Sequence, residues 1–147
     1  MAVIRRARPE DTSAIAALFR RSFGTLTFLP TLHTPAQDRD HFGRLVHEHE
    51  MWVYEVGDDI LGFAGIDDGE LSNLYVEPDV LGQGVGSALL DHVKGRRPDG
   101  FRFWVFQENA RARRFYERRG CRVVELTDGS GNEEGEPDAL YEWVPGA

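Results

Sequence analysis

Cysteine is all but missing from this chain. Cys121 stands alone among 147 residues, which excludes an internal disulfide and suits a reducing compartment. Long apolar runs are missing too, so no segment is expected to cross a bilayer. The opening MAVIRRARPEDTS is charged by Arg5 and has no apolar signal core. The expectation is a cytoplasmic protein, neither secreted nor bound to a membrane. Positive charge is scarce: 17 Lys and Arg against 25 Asp and Glu leave a net charge of −8. That deficit argues against a nucleic-acid partner, because neutralising phosphates takes clustered cations. It suits a cationic small molecule or a basic peptide better. Repeats, low-complexity tracts and interdomain linkers are also lacking, so residues 1–147 are expected to form one domain.

What is present is a clear alternation of periods. VIRRA reads as a strand. PEDTSAIAALFRRSF reads as a helix capped by Asp11 or Thr12, with Ile15, Leu18 and Phe19 on one stripe. GTLTFLPTLHTPAQD, with Pro30 and Pro35, reads as loop or short turns. Phe42, Leu45, Val46 and His49 mark a second helix ending near Glu50. MWVYEV, ILGFAGI and ELSNLYV follow as strands joined by tight Gly/Asp turns, an antiparallel meander. Val85, Leu89 and Val93 define a third helix, which ends near Gly95. FRFWVF (101–106) reads as a strand buried on both faces. NARARRFYERRG is a fourth helix, with Ala112, Phe115 and Tyr116 on one face and Gly120 as its C′ residue. CRVVEL and ALYEWV are the last strands. The order β-α-α-β-β-β-α-β-α-β-β implies an α/β fold with a mixed sheet, partly parallel at its centre.

Between the fourth strand and the third helix lies VLGQGVGS. Gly82, Gly84 and Gly86 each cost entropy to order. A single glycine there would signify only a tight turn. Three of them opening a helix let a ligand approach amides that have no intrahelical partner, and phosphate suits such a site best. A Walker loop is disfavoured, because Ser87-Ala88 does not supply the required Lys-Ser/Thr. A dinucleotide fold would place the glycines after the first strand, and here they follow the fourth.

LYVEPDVLGQGVGSALL resembles the acetyl-CoA loop of the GNAT superfamily of N-acetyltransferases. ENARARRFYERRGC resembles that superfamily's later element, Asn-x-x-Ala followed by an aromatic-Tyr pair and a glycine. IRRARPEDTSAIAALF is similar to its first strand and helix. The likeness covers nearly the whole chain in the same element order, and implies the GNAT-like acyl-CoA N-acyltransferase fold. It departs at Leu81, where Arg or Gln is usual, and at Cys121, where Phe is common and which reads as packing.

The resemblance implies an N-acetyltransferase. It would move an acetyl group from acetyl-CoA, without a metal, to a primary amine on a small molecule or peptide. Leu74, Tyr75 and Val76 would hold the pantetheine arm. Leu81, Gly82, Gln83, Gly84, Val85, Gly86 and Ser87 would hold the pyrophosphate. Asn109, Ala112 and Phe115 would complete the cofactor site. Tyr116 is the implied acid for the leaving thiolate, although its helical stripe alone suggests a core residue. Glu70, partly buried at the start of the fourth strand, is the candidate base; a plain turn carboxylate is the equal alternative. His33 and His41 are others, and water can serve instead. Phe28, Leu29 and His33 would frame the acceptor. Opposite them lies the acidic TDGSGNEEGEPD loop, whose alternative reading is a disordered solvated segment. Arg111, Arg113 and Arg114 are candidates for the adenosine phosphate or a solvated face. A homodimer and a non-catalytic acetyl-CoA sensor remain open alternatives.

Overall fold

Polar-apolar alternation and tight turns build the first half of the sheet in a computed structural model that describes residues 1–146. Strands β2 (Glu50–Val56), β3 (Asp59–Asp67) and β4 (Glu70–Val76) form the expected antiparallel meander, and β1 (Ala2–Arg6) pairs with β2 at the edge. The seven-stranded sheet runs β1-β2-β3-β4-β5-β7-β6, with β5 at Phe101–Phe106, β6 at Arg122–Leu126 and β7 at Asp138–Trp143. β4 and β5 are parallel, joined by helix α3 (Val85–Arg96). Helix α4 (Ala110–Glu117) leads from β5 to β6, yet β7 inserts between those two strands and pairs antiparallel with both.

Helices α1 (Thr12–Phe23) and α2 (Pro35–Glu48) cover one face. Ile15, Leu18, Phe42, Met51, Val53 and Phe63 pack there. α2 starts on a capping box: the Gln37 amide donates to Thr34 Oγ1, the Thr34 amide donates to Gln37 Oε1, and Pro35 takes the first helical position. The other face carries α3 and α4, with Leu89, Leu90, Val93, Phe103, Tyr116 and Tyr141 in its core.

Three expectations need correction. β5 is not buried on both faces: Phe101, Phe103 and Val105 are buried, whereas Arg102 is exposed and Trp104 is 46% exposed. The reason is coverage, since α1 and α2 pack over β2, β3 and β4. Asp11 sits at the head of α1 without capping it. Its carboxylate instead accepts two bonds from the Arg5 guanidinium, at 2.8 and 3.0 Å, and one from the Arg8 amide at 2.7 Å. Gly120 does adopt the left-handed conformation (φ 86°), but beyond the C-cap residue Arg118.

Candidate active site

The site begins where the sheet comes apart. β4 and β5 share one registered pair, Glu70 with Arg102, and then diverge. A register shift between β3 and β4 near Gly65 bends β4 at this point. Backbone alternation then fixes which groups face the gap. The Glu77 amide donates to Leu61 O at 2.9 Å. Antiparallel pairs alternate, so Tyr75 faces β3 while Leu74 and Val76 turn their N–H and C=O groups toward the diverging side. A strand edge with outward amides and carbonyls can take a ligand arm as an added strand.

Beyond Val76 the chain turns through Pro78–Val80 into the glycine loop. Gly82 and Gly84 hold φ of 81° and 91°, which an L side chain rarely adopts. Gly84 is the N-cap of α3 and offers no capping side chain, so the first amides of the helix lack a side-chain partner. Gly86 has a different reason. A Cβ there would lie 3.2 and 3.3 Å from the Phe115 ring and 3.6 Å from Val76. The absent side chain lets α4 close against α3.

These features line a cleft of about 860 Å³. Leu74, Tyr75, Val76, Leu81, Gly82, Gly84, Gly86, Ser87, Asn109, Ala112, Phe115 and Tyr116 all border it. Gln83 and Val85 do not. The Gln83 amide is spent on Val80 O at 3.2 Å, and the Val85 side chain is buried against β3 beside Gly62. Val85 can therefore contribute only backbone. Asn109 caps α4, accepting from the Ala112 amide at 3.2 Å. Tyr116 packs its ring 4.3 Å from Phe103 within the core and also borders the cleft. Burial pushes its phenol well above the ordinary tyrosine value, so the hydroxyl stays protonated. Burial likewise lifts Cys121 to about 11, in keeping with a packing role.

A second cleft, about 230 Å³, opens on the other side of Tyr75, which borders both. Phe19, Phe23, Phe106 and Leu32 give it apolar walls, and His33, Asp38, Glu133 and Glu134 give it polar ones. His33 Nε2 lies 3.0 Å from Glu133 Oε1, which ties the α1–α2 segment to the β6–β7 loop and raises the imidazole pKa. That loop is not a free solvated segment. Asn132 Nδ2 donates to Glu136 O at 2.8 Å, the Glu136 amide returns a bond to Asn132 Oδ1, and Gly129 and Gly135 take positive φ. Glu134 is half-buried, and burial raises its carboxyl pKa, with Glu133 adding to the effect. Burial pushes the Tyr75 phenol up to about 12, and Glu134 contributes to that shift.

Charge separates the two clefts. Among the described residues no carboxylate lines the first, which carries Arg111, Arg114, Arg118 and Arg119. The second is lined by three carboxylates and by Arg20. Asp38 is paired with Arg20 at 2.7 Å and Glu133 with His33 at 3.0 Å, which leaves Glu134 without an ion-pair partner among the described residues. Among the described residues no group of three or more His, Cys, Asp or Glu is placed to hold a metal, and no helix is long and apolar enough to cross a membrane.

Comparison with known proteins gives this geometry a family. The description "Acetyltransferase (GNAT) domain" matches residues 47–122, a span that takes in β4, the glycine loop and α4. The chain belongs to the GNAT acetyltransferase family. This GNAT enzyme is 31% identical over 123 residues to the peptidyl-lysine N-acetyltransferase YjaB of Salmonella typhimurium, covering 82% of this chain and 83% of that one. The solution structure of apo YjaB from Escherichia coli matches it with a TM-score of 0.81 at 26% identity, over 98% of each chain. The PaiA N-acetyltransferase of Thermoplasma acidophilum, solved in complex with coenzyme A, shares the fold at 20% identity. Its TM-score is 0.80, over 98% of this chain and 99% of that one. Within the GNAT fold the first cleft suits acyl-CoA: outward strand amides, uncapped helix amides and unopposed arginines match an amide-bearing arm and a polyanion.

The acceptor and base expectations change more. Glu70 is exposed at the start of β4 and borders neither cleft. It stands four residues from Leu74, about 13 Å along a strand. The expected partial burial is absent because the β3–β4 turn lies at the far end of the sheet. Of Phe28, Leu29 and His33, only His33 lines the second cleft; Phe28 instead packs edge-on to Phe106 at 6.1 Å. His41 lines neither. Glu134 is the residue that sequence reasoning grouped with a rim of acids and did not single out. Its only sequence signal was membership of the EEGEPD run.

Proposed function

We propose that this enzyme transfers an acetyl group from acetyl-CoA directly to a primary amine carried on a short apolar stem, the chemistry of a lysine side chain. The observation that carries the reading is the meeting, at Tyr75, of a cationic cleft and one that presents Glu134, a carboxylate with no ion-pair partner among the described residues. A polyanionic donor and a cationic acceptor are thereby drawn from opposite sides to one point. The name of the similar YjaB proteins, peptidyl-lysine N-acetyltransferase, supports the same acceptor class.

Acetyl-CoA supplies an activated acyl carbon as a thioester, and the chain's residues supply the rest. Leu74 and Val76 align the pantetheine arm through their outward backbone groups. The Leu74 N–H is placed to stabilise the charge that develops on the acyl oxygen. The amides of Val85, Gly86 and Ser87 face the pyrophosphate. Glu134 takes the proton of the incoming ammonium. Its raised pKa places it nearer neutrality than an exposed glutamate, which suits a base at physiological pH. The amine nitrogen then forms the new C–N bond as the C–S bond breaks. Tyr116, held protonated by burial, gives its proton to the leaving sulfur. The second proton that the nitrogen sheds on becoming an amide passes through solvent to re-protonate Tyr116, and Glu134 returns its own proton to solvent.

The test is thiol release from acetyl-CoA with a panel of polyamines, aminoglycosides, free amino acids and lysine-bearing peptides. The reading expects release that depends on the lysine class, with intersecting initial-velocity lines that mark a ternary complex. Parallel lines would overturn direct attack, and no release with any amine would overturn the reading itself.

A further inference from the structure

Every arginine that forms an ion pair among the described residues lies outside the lining of the first cleft, Arg5, Arg20, Arg21, Arg96, Arg97 and Arg122 among them, each with a carboxylate within 3.3 Å. The arginines that line the cleft differ. Arg111, Arg114, Arg118 and Arg119 have no carboxylate partner among the described residues, in a chain with 25 acids and 17 bases. In so acidic a chain, a run of unopposed cations along one wall calls for an anion from outside.

Two of the four are placed with definition. Arg119 follows α4. Its guanidinium lies over the Phe115 ring at 4.0 Å, Nε donates to Ser87 Oγ at 2.9 Å, and Nη1 donates to Phe115 O at 2.9 Å. Nη2 has no partner among the described residues. A solvated arginine would not be pinned at three points beside the start of α3. Arg111 reaches the other end of the same loop, where a Cβ added at Gly82 would lie 3.7 Å from its Nη2. Between them runs the segment from Gly82 to Ser87. At its head stands Leu81, apolar and 42% exposed, where the resembling family pattern has Arg or Gln.

We infer that Arg111 and Arg119 supply, from α4 and the turn after it, the side-chain cations for the donor's pyrophosphate that position 81 lacks. The inference rests on the reading of this cleft as the acyl-CoA site. A guanidinium presents a planar fork that matches phosphate oxygens and stays charged at any working pH. Phe115 holds the Arg119 fork flat, so little freedom is lost when the anion arrives. The cation has moved from the loop onto the opposing helix, and the loop is left to contribute backbone alone.

The experiment is calorimetric titration of the full chain with CoA and with 3′-dephospho-CoA. Arg111→Ala and Arg119→Ala are each expected to weaken CoA binding about tenfold or more. The same fold-loss is expected with 3′-dephospho-CoA, because the pyrophosphate is common to both. Leu81→Arg placed in the Arg119→Ala background is expected to bring affinity back to within about threefold of the original. Arg111 is exposed and its side chain makes no hydrogen bond among the described residues, so its variant keeps the test valid even if Arg119→Ala loosens the turn. Affinity within twofold of the original for both alanine variants would overturn the inference. So would a loss that vanishes with 3′-dephospho-CoA, which would move the arginines to the 3′-phosphate. A Leu81→Arg that restores nothing would overturn the compensation. Failure of the unaltered chain to bind CoA at all would overturn the acyl-CoA reading instead.

Discussion

Two glycines in one helix provide a controlled comparison. Gly86 and Gly95 both lie in α3, and replacing glycine by alanine in a helix stabilises it by roughly 0.5–1 kcal/mol. At Gly95 the added methyl meets nothing within 4 Å. Gly95→Ala is therefore expected to raise Tm by about 1–4 °C for a chain of this size. At Gly86 the same methyl lies 3.2 Å from a Phe115 ring that is itself clamped by Arg119. Forcing that ring aside costs about 1 kcal/mol or more, which offsets the helical gain and leaves Tm nearly unchanged. The displaced ring must move toward the cleft wall or the guanidinium, so CoA affinity is expected to fall several-fold in Gly86→Ala and to stay constant in Gly95→Ala. Thermal unfolding and calorimetric titration of both variants check this. Equal Tm gains in the two, with CoA affinity intact, would refute the argument that Gly86 is required for helix closure at the binding site.

Tyr116→Phe keeps the ring that packs on Phe103 and removes the proton donor, so kcat is expected to drop about 10²-fold with little loss of stability; full turnover in stopped-time thiol assays would remove Tyr116 from the chemistry. Glu134→Gln should lower kcat and flatten the acid limb of the pH–rate profile. Because burial raises the Glu134 pKa, the basic form accumulates only as pH rises through that raised value, so the native limb should lie above the ordinary carboxylate range. An identical profile in the variant would exclude Glu134 as the base. Asp11, 7% exposed and bonded to Arg5, has a lowered pKa, with the Arg5 hydrogen bonds as the main cause. Its contribution is present above the unfolded carboxyl value and is lost as pH falls through the depressed folded one. Asp11→Ala should cost about 2–3 kcal/mol by denaturant titration at neutral pH, and the deficit should shrink in acid.

Local order was readable in the sequence; relations between elements were less so. The stripe of Ile15 and Leu18, the turns after Val56 and Asp67, and a helix opening near Gly86 all follow from period and turn chemistry; the structure has them, with α3 starting at Val85. Strand order is another matter. Nothing in FRFWVF or ALYEWV states that β7 inserts beside β5, and without knowing where α1 and α2 stop, the exposed Trp104 reads as core. The opening between β4 and β5 depends on a register shift near Gly65, which leaves no periodic trace in ELSNLYV. Side-chain direction in the loop was equally hidden: Gln83 and Val85 sit among glycines that border the cleft, yet one spends its amide on a turn and the other points into the core. Glu134 could not be told from Glu133 or Glu136 until the Asn132 bonds fixed the loop. Only the fold then shows that His33 and Glu133, distant in sequence, meet at 3.0 Å.

The central claim is that donor and acceptor enter opposite clefts and meet at Tyr75. A crystal structure of the enzyme with acetyl-CoA and a lysine-bearing peptide tests it most directly. The account predicts the pyrophosphate against the Val85–Ser87 amides, the thioester beside Leu74 and Tyr116, and the lysine nitrogen arriving past Glu134. A peptide lying along the arginine wall, or CoA seated in the cleft of Glu133 and Glu134, would contradict it.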